Sequence, residues 1–485
     1  MKLNSNIMLK MTNIYMICPI IIFFWGWIKW YCTVPLTIAV VFCLYRMFKD
    51  LANEDSWIMQ EGDRKKLLFS ITIITIWVYC SGVGALVFQN PDHAYRNAIY
   101  EVLVNYDWPV VNEVMLDGVQ SNRALIYYIG FWLPAALVGK CLGIQAGYLF
   151  QAIWAMVGCL LFYALVCYYR KKVSIWLLIV FIFFSGLDVV GQYMTNINFS
   201  NYSNVMHIEF WSGSYQFSSF TTQLFWVFNQ AIPVWIGTMM VLLQKNNKYM
   251  LLILGCLMIN STLPFVGLLP IATMVMLTRS NFRKDSAKVW LKDFWQDSFT
   301  FGNIIGGIFS LVAFAYLIGN DSGQLVSNTK NGSTRGFIFT LVIFLLVEVG
   351  AYFIILYKYN YKNMLYYIAG LTLVVCALIR VGSSADFCMR ASIPALVVLY
   401  LLVVDGLSRA KKEKNVVILG ALLTVLLLGA ITPLHEINRT ISETISRYHA
   451  NQRIQEESVD EMRIFTESNF SGNIEENLFF KYIAK

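Results

Sequence analysis

Charged side chains are scarce in this 485-residue chain, where Asp, Glu, Lys and Arg together make up 14% of the residues. A soluble domain carries roughly 25%. Long polar stretches are also scarce, because apolar runs recur from end to end and 58% of the residues are hydrophobic. Runs of about 20 apolar residues can cross a hydrocarbon core about 30 Å thick. Backbone groups in lipid must be satisfied within their own segment, so we predict an all-α, polytopic transmembrane bundle.

Paired metal-ligand motifs are missing as well. The chain has only four histidines, and none of its ten cysteines forms a CxxC pair. The absence of such pairs argues against a disulfide framework or a zinc site. We therefore assign no metal ligands, and the question whether the protein needs a divalent cation stays open. The net charge of +8 is explained by basic loops between spans, which set orientation. We therefore expect no nucleic-acid partner.

Hydropathy places about thirteen spans of membrane-crossing length along the chain. They cover residues 11–28, 32–47, 67–88, 146–168, 173–194, 219–243, 249–262, 263–278, 300–319, 337–357, 363–380, 391–408 and 415–434. The run around Met16 to Trp27 is not followed by a small-residue cleavage site, so we expect a retained span. The pair 249–278 is expected to be two short spans broken by Pro264 and Pro270.

The basic clusters decide the orientation. They can all face the cytoplasm only if an even number of crossings separates each pair, and this requires that the apolar stretch 124–142 does not cross. We interpret 124–142 as an interfacial or re-entrant helix, with the N-terminus inside and the C-terminus outside. The clusters are Arg46/Lys49/Arg64/Lys65/Lys66, Arg170/Lys171/Lys172, Arg279/Arg283/Lys284/Lys288 and Arg409/Lys411/Lys412/Lys414.

The first outer loop, 89–123, contains the strongest candidate for chemistry. Pro91 and the spacing after it predict a short helix along the membrane surface, on which Asp92 and Arg96 are i,i+4 neighbours. A carboxylate there could accept a proton from a hydroxyl or hold a cation. We expect His93, Arg96 and Glu101 to contact substrate. The alternative is a surface salt bridge with His93 as a solvated neighbour.

Further candidates lie near the outer ends of later spans. Asp188 ends an apolar run, and ionisable groups in spans are costly; a snorkelling carboxylate is the alternative. His207, Glu209 and Gln216 lie in the polar loop 195–218. A metal pair formed by His207 and Glu209 has no evident third ligand. Polar and aromatic residues of the next span share one helical face and suit either sugar rings or an interfacial aromatic belt; they are Gln223, Trp226 and Gln230.

The loop 380–390 places two arginines at membrane depth on the outer side. Guanidinium groups bind phosphate through paired hydrogen bonds, so Arg380 and Arg390 are candidate ligands of a lipid phosphate. The alternatives are contact with membrane lipid head groups, or an ion pair of either arginine with Asp386 that closes the loop.

The order of these parts resembles the GT-C superfamily of polytopic glycosyltransferases, which use polyprenyl-phosphate-linked sugars. The resemblance covers roughly residues 60 to 435 and rests on the acidic outer loop with Asp92, the surface helix, an apolar run ending at Leu142-Gly143, a span leading to Arg170-Lys171-Lys172, and the proline-broken segment Leu263 to Pro270. It implies a catalytic module over 61–434, preceded by an added hairpin and cytoplasmic loop over 1–60. It also implies that Asp92 is the general base or helps to bind a metal. The mixed charges and scattered apolar positions of 435–485 predict a small outer helical tail.

The expected function is transfer of a sugar from a polyprenyl-phosphate donor to an envelope glycan, lipid or protein acceptor on the outer side. Lys, Asn and Ile usage favours a bacterial plasma membrane. One alternative is a transporter or flippase of lipid-linked saccharides, which predicts midplane charges and inverted repeats; Glu348 is the clearest midplane charge, and no repeat is evident. The other is a glycan polymerase or ligase, which would favour a large late outer loop.

Overall fold

The structure, a computed structural model, describes residues 4–52, 57–116, 118–195, 207–279, 287–322, 334–381, 385–475 and 477–485. It is predominantly helical. Its first eleven helices are α1 Ser5–Trp27, α2 Trp30–Ala52, α3 Arg64–Tyr79, α4 His93–Asn105, α5 Leu133–Leu142, α6 Ile144–Arg170, α7 Ile175–Ile182, α8 Asp188–Met194, α9 Phe220–Leu243, α10 Met250–Met258 and α11 Thr262–Arg279.

The remaining helices are α12 Ala287–Ser298, α13 Phe301–Leu317, α14 Thr334–Leu345, α15 Ala351–Asn360, α16 Met364–Leu378, α17 Asp386–Ala391, α18 Ile393–Lys412, α19 Val416–Gly429, α20 Ile431–His449, α21 Glu461–Thr466 and α22 Leu478–Tyr482. A π-helical turn, Leu346–Gly350, joins α14 to α15.

Within the described ranges, eight helices are long and apolar enough to cross a membrane, or nine if the bent pair α12–α13 counts as one span. The chain is therefore a multi-pass membrane protein. The other apolar runs of the predicted thirteen form shorter helices. The qualifying segments are Ser5–Trp27, Trp30–Ala52, Ile144–Arg170, Phe220–Leu243, Thr262–Arg279, Ile338–Asn360, Ile393–Lys412 and Val416–His449.

The stretch 124–142 does not form a membrane-length helix. A strand ends at Leu125, a 3-10 turn comes next at Gly130–Trp132, and α5 has only 10 residues. A helix of that length is about 15 Å long, half of what a bilayer core needs. The interfacial or re-entrant placement of this segment stays a prediction.

The predicted continuous span 173–194 is wrong in detail, because the helix breaks between α7 and α8. A side chain at Gly186 would overlap Glu348, so the chain approaches the π-helical turn closely there. The broken backbone is still satisfied: the Tyr352 hydroxyl donates to the Ser185 carbonyl at 2.9 Å, and the Leu187 amide donates to the Val347 carbonyl at 3.4 Å. Such breaks are tolerated at membrane depth where neighbouring protein supplies the hydrogen bonds.

The outer loop and the C-terminal tail fold together, and they add a small sheet to the expected all-α architecture. Strands β1 (Val111–Leu116) and β2 (Val119–Leu125) form an antiparallel hairpin, and β3 (Ser471–Asn473) pairs antiparallel with β2, with Arg123 opposite Asn473. The tail boundary at 435 falls inside α20. The tail is thus a cover over the outer loop, formed by most of α20, the short helices α21 and α22, and the strand β3.

The last residues return to the first hairpin. The Lys485 amide donates to the Trp27 carbonyl at 3.0 Å, and the Lys29 amide donates to the Ile483 carbonyl at 3.1 Å. The turn between α1 and α2, the loop 89–125 and the tail therefore lie at one end of the molecule. We call this end the outer end, in keeping with the orientation expected from the sequence.

Candidate functional site

Asp92 lies at the start of α4, where the amide nitrogen of Asp92 donates to Asn90 Oδ1 at 3.1 Å. The expected i,i+4 pair is present, with Arg96 Nη2 donating to Asp92 Oδ2 at 3.0 Å. The Asp92 side chain is 46% exposed, whereas that of Arg96 is 10% exposed. The carboxylate is therefore accessible, while its partner is anchored in the protein.

Arg390, on α17, approaches the same carboxylate from another part of the chain. Its Nη2 lies 3.1 Å from Asp386 Oδ1, and its Nη1 donates to the Tyr128 hydroxyl at 2.5 Å. The Tyr127 hydroxyl also donates to Tyr128. We call this group of side chains the outer cluster; it comprises Asp92, Arg96, Tyr127, Tyr128, Asp386 and Arg390.

Electrostatics within the outer cluster keep Asp92 ionised. Burial alone would raise the pKa of Asp92, but the charges of Arg96 and Arg390 outweigh it and hold the pKa below its ordinary value. Burial opposes the charged form of Arg390 as well, yet Asp386 and the two tyrosines raise its pKa further. Both groups are charged throughout the physiological range.

Each of the two guanidinium groups keeps one buried N–H unsatisfied. Arg96 Nε and Arg390 Nε have no hydrogen-bond acceptor within the described residues. Buried donors are nearly always paired in folded proteins, and a guanidinium is well matched to phosphate. The outer cluster can therefore accept an anion beside an accessible carboxylate.

His93 lies behind the cluster, in the protein interior. It is 1% exposed, its Nε2 lies 3.0 Å from the Phe225 carbonyl and its Nδ1 lies 3.1 Å from Gln89 Nε2. Burial lowers its pKa to about 3, so the imidazole is neutral. This geometry favours a role in holding α4 against α9 over the expected substrate contact.

A kink in α9 makes this attachment possible. Val227 has the non-helical angles φ −137° and ψ 35°, which frees the Phe225 carbonyl from the helix. The carbonyl accepts instead from Asn90 Nδ2 at 2.7 Å and approaches His93. The turn that carries Asp92 is thus fixed to the kinked helix.

Glu101 is not brought to the outer cluster. It lies nine positions after Asp92, which is about 13 Å along a helix, and its Oε1 accepts from the Tyr148 hydroxyl at 2.8 Å. We assign it to packing of α4 against α6. Arg380 is half-buried, and its charge acts on the Tyr215 hydroxyl; residues 382–384 of its loop lie outside the described residues.

His207, Glu209 and Gln216 come together as a second group at the start of α9. Gln216 Nε2 lies 3.4 Å from His207 Nε2 and donates to Glu209 Oε2 at 3.1 Å. Glu209 Oε1 also accepts from the Ser219 amide at 2.8 Å, at the N-terminus of α9. Residues 196–206 of this loop lie outside the described residues.

Trp226 connects this group to the tail but offers no open face to a sugar. Its Nε1 donates to Glu436 Oε2 at 2.8 Å, the His207 ring stacks on it at 4.6 Å, and the Arg439 guanidinium lies 5.2 Å from its centroid. Gln223 is likewise buried, and its Oε1 accepts from Trp235 Nε1 at 2.8 Å. These contacts favour the interpretation of this face as protein-internal hydrogen bonding.

Asp188 forms a buried carboxyl pair with Glu348 of the π-helical turn. Asp188 Oδ2 accepts from Ser185 Oγ at 2.7 Å and from Thr432 Oγ1 at 2.9 Å, while Glu348 Oε1 accepts from Trp211 Nε1 at 2.7 Å. One oxygen of each carboxyl group, Asp188 Oδ1 and Glu348 Oε2, is buried and has no hydrogen-bond donor among the described residues. One proton shared between the two groups would satisfy both oxygens and leave a single buried charge.

Substitutions at Glu348 test this proton. Glu348→Gln supplies a hydrogen-bond donor facing Asp188, so we expect the unfolding free energy to change by less than about 1 kcal/mol. Glu348→Ala leaves a cavity and unpaired buried groups, so we expect it to lower the unfolding free energy by about 2–4 kcal/mol. Thermal unfolding in detergent measures both. Equal destabilisation by Gln and Ala would mean that the second negative charge is needed.

Sequence reasoning missed several members of these groups. Tyr127 and Tyr128 lie in the ambiguous stretch 124–142, and Glu436 and Arg439 lie in the tail. The only local signal is the i,i+3 spacing of Glu436 and Arg439, which form an ion pair on α20. No group of three or more His, Cys, Asp or Glu side chains that could hold a metal occurs among the described residues.

Comparison with known proteins identifies no relative: no protein-family model, no curated protein and no solved structure matches the chain. The proposed function therefore rests on the geometry of the described residues.

Proposed function

We propose that the protein is a GT-C-like glycosyltransferase of a bacterial plasma membrane. It would move a sugar from a polyprenyl-phosphate donor to an envelope glycan, lipid or protein acceptor on the outer side. The observation that carries the proposal is the outer cluster, in which a half-exposed carboxylate, Asp92, lies beside two guanidinium groups that each keep a buried, unpaired N–H.

The proposed reaction is an inverting displacement at the anomeric carbon. The acceptor oxygen forms the new glycosidic bond as the bond from the sugar to the lipid phosphate oxygen breaks, and the hydroxyl proton passes to Asp92. The leaving phosphate takes the bonding electrons, and its negative charge is stabilised by Arg390. Because the pKa of Asp92 is held low, it is a weak base, and proton transfer is expected to accompany bond cleavage rather than precede it.

Arg390 should be needed for the donor's phosphate. Arg390→Gln removes the charge and the unpaired Nε–H, and loss of comparable electrostatic stabilisation lowers kcat/KM about 10²–10³-fold. Arg390→Lys keeps the charge and should be intermediate. Arg453→Gln is the matched control, since Arg453 is 57% exposed and pairs only with Glu457 among the described residues. Steady-state assays of donor consumption measure all three.

The flippase alternative is favoured by the buried Asp188–Glu348 pair, because ionisable groups in broken spans are typical of transporters. Proteoliposomes separate the two functions. With donor and acceptor added outside, a transferase releases one polyprenyl phosphate for each sugar transferred. A flippase moves intact donor to the opposite leaflet and releases none, and that outcome would overturn the proposal.

A further inference from the structure

A cleft opens at the end of α2 farthest from the outer cluster. It lies between the second half of α2 and the start of α13, and its volume is about 200 Å³. This volume is below the range of sites that enclose a whole drug-sized molecule. Its lining residues relevant here are Phe42, Arg46, Asp50, Lys248, Thr300 and Phe301.

The helix before α13 marks the depth of this cleft in the membrane. α12 and α13 meet at an angle of 69°, and α12 combines the basic residues Lys288 and Lys292 with Trp290 and an exposed Trp295. A short amphipathic helix with Lys and Trp lies in the interfacial plane of a bilayer. The cleft begins where α12 turns into α13, which is the level of the lipid head groups.

The polar part of the cleft is positive. Arg46 and Lys248 line it, and neither forms an ion pair with any described carboxylate. The N-terminus of α13 adds partial positive charge through its first two amides, Phe301 and Gly302; the next amide, Asn303, is capped by Thr300 Oγ1 at 3.4 Å. The one acidic lining residue is Asp50, which accepts a hydrogen bond from the Tyr249 hydroxyl at 2.9 Å.

The other wall of the cleft is apolar and continues towards the lipid. Phe42 and Phe301 meet edge-to-face with centroids 5.5 Å apart, and they are 45% and 46% exposed. An acyl chain can lie on such a surface, whereas a soluble anion gains nothing from it. The cleft therefore combines a positively charged end, which can bind an anion, with an apolar wall along which an acyl chain can lie.

We propose that this cleft binds an anionic phospholipid. Its phosphate diester lies between Arg46 and Lys248 near the start of α13, and its acyl chain lies along Phe42 and Phe301. Basic pockets between helices at head-group depth bind anionic lipids in this manner. The site is separate from the outer cluster and does not depend on the proposed transfer reaction.

Native mass spectrometry of the detergent-purified full chain tests the proposal, with phosphatidylglycerol and phosphatidylcholine of identical acyl chains as probes. We expect phosphatidylglycerol to be retained in preference to phosphatidylcholine. Replacing Arg46 and Lys248 together by Gln should weaken its binding about 25-fold, at about fivefold for each basic residue. Asp50→Asn, which removes the opposing charge but can still accept from Tyr249, should strengthen it.

The matched control replaces Lys288 and Lys292 by Gln, which removes the same charge at the same depth but outside the cleft. This control should leave phosphatidylglycerol binding within twofold of the wild-type value. An equal loss in the two double variants would overturn the proposal in favour of diffuse surface charge. Inorganic phosphate that displaces the lipid at equal concentration would overturn it in favour of a soluble phosphate ligand.

Discussion

Asp92→Asn is expected to abolish sugar transfer almost completely, lowering kcat about 10²–10⁴-fold, which is the usual contribution of a general base. The amide is the same size and can still accept from Arg96, so the fold and the anchoring of Arg96 should persist. KM for the donor should change little, because the phosphate is held by Arg390. Initial rates of polyprenyl phosphate release measure both parameters.

The control for this experiment is Asp107→Asn, which makes the same substitution at an exposed position of the same outer segment and should leave kcat unchanged. The wild-type rate should also show no titration of Asp92 between about pH 5 and 8. Its pKa is depressed, so Asp92 is fully ionised at any pH above the ordinary pKa of an aspartate. It becomes protonated only as the pH falls through the lowered pKa. Full activity of Asp92→Asn would show that Asp92 is not the general base.

Gly306→Ala is expected to disrupt the bundle where α10 crosses α13. A Cβ at Gly306 would overlap the backbone of Leu251 and Leu252, and one at Gly255 would lie 2.5 Å from the Gly306 carbonyl oxygen. Small residues at helix crossings let backbones approach closely in membranes. Neither backbone can give way as a flexible side chain could, so we expect a loss of about 3 kcal/mol or more.

The neighbouring Gly307 provides the control, because a Cβ there would meet nothing within 4 Å. Gly307→Ala should be neutral or stabilise the protein by up to about 1 kcal/mol through helix propensity. Unfolding of both variants in mixed detergent micelles gives the two free energies. Similar values for Gly306→Ala and Gly307→Ala would show that the two helices are not in close backbone contact at this crossing.

Local spacing allows one part of the outer cluster to be predicted from the sequence. Asp92 and Arg96 are four residues apart on one helix, so their contact depends only on α4 forming. The Asp386–Arg390 pair has the same spacing, and the sequence predicts it as one way to close its loop. Neither spacing indicates that the two pairs meet, because that depends on how α4 and α17 pack.

Contacts between distant parts of the chain could not be predicted. The break after α7 occurs in the apolar segment Phe184 to Leu187, and its cause is the close approach of Gly186 to Glu348, far along the sequence. The pairing of β3 with β2 likewise joins the tail to the first outer loop. Hydropathy identifies apolar runs, but it does not reveal which runs are shortened or bent by their neighbours.

The central claim is that the outer cluster binds the lipid-linked phosphate, and photocrosslinking with a polyprenyl phosphate carrying a diazirine next to its phosphate tests it most directly. Labelled peptides identified by mass spectrometry should cover residues 89–97 and 385–391, and Arg390→Gln should abolish that labelling. Labelling confined to other segments, or unchanged in Arg390→Gln, would contradict the account.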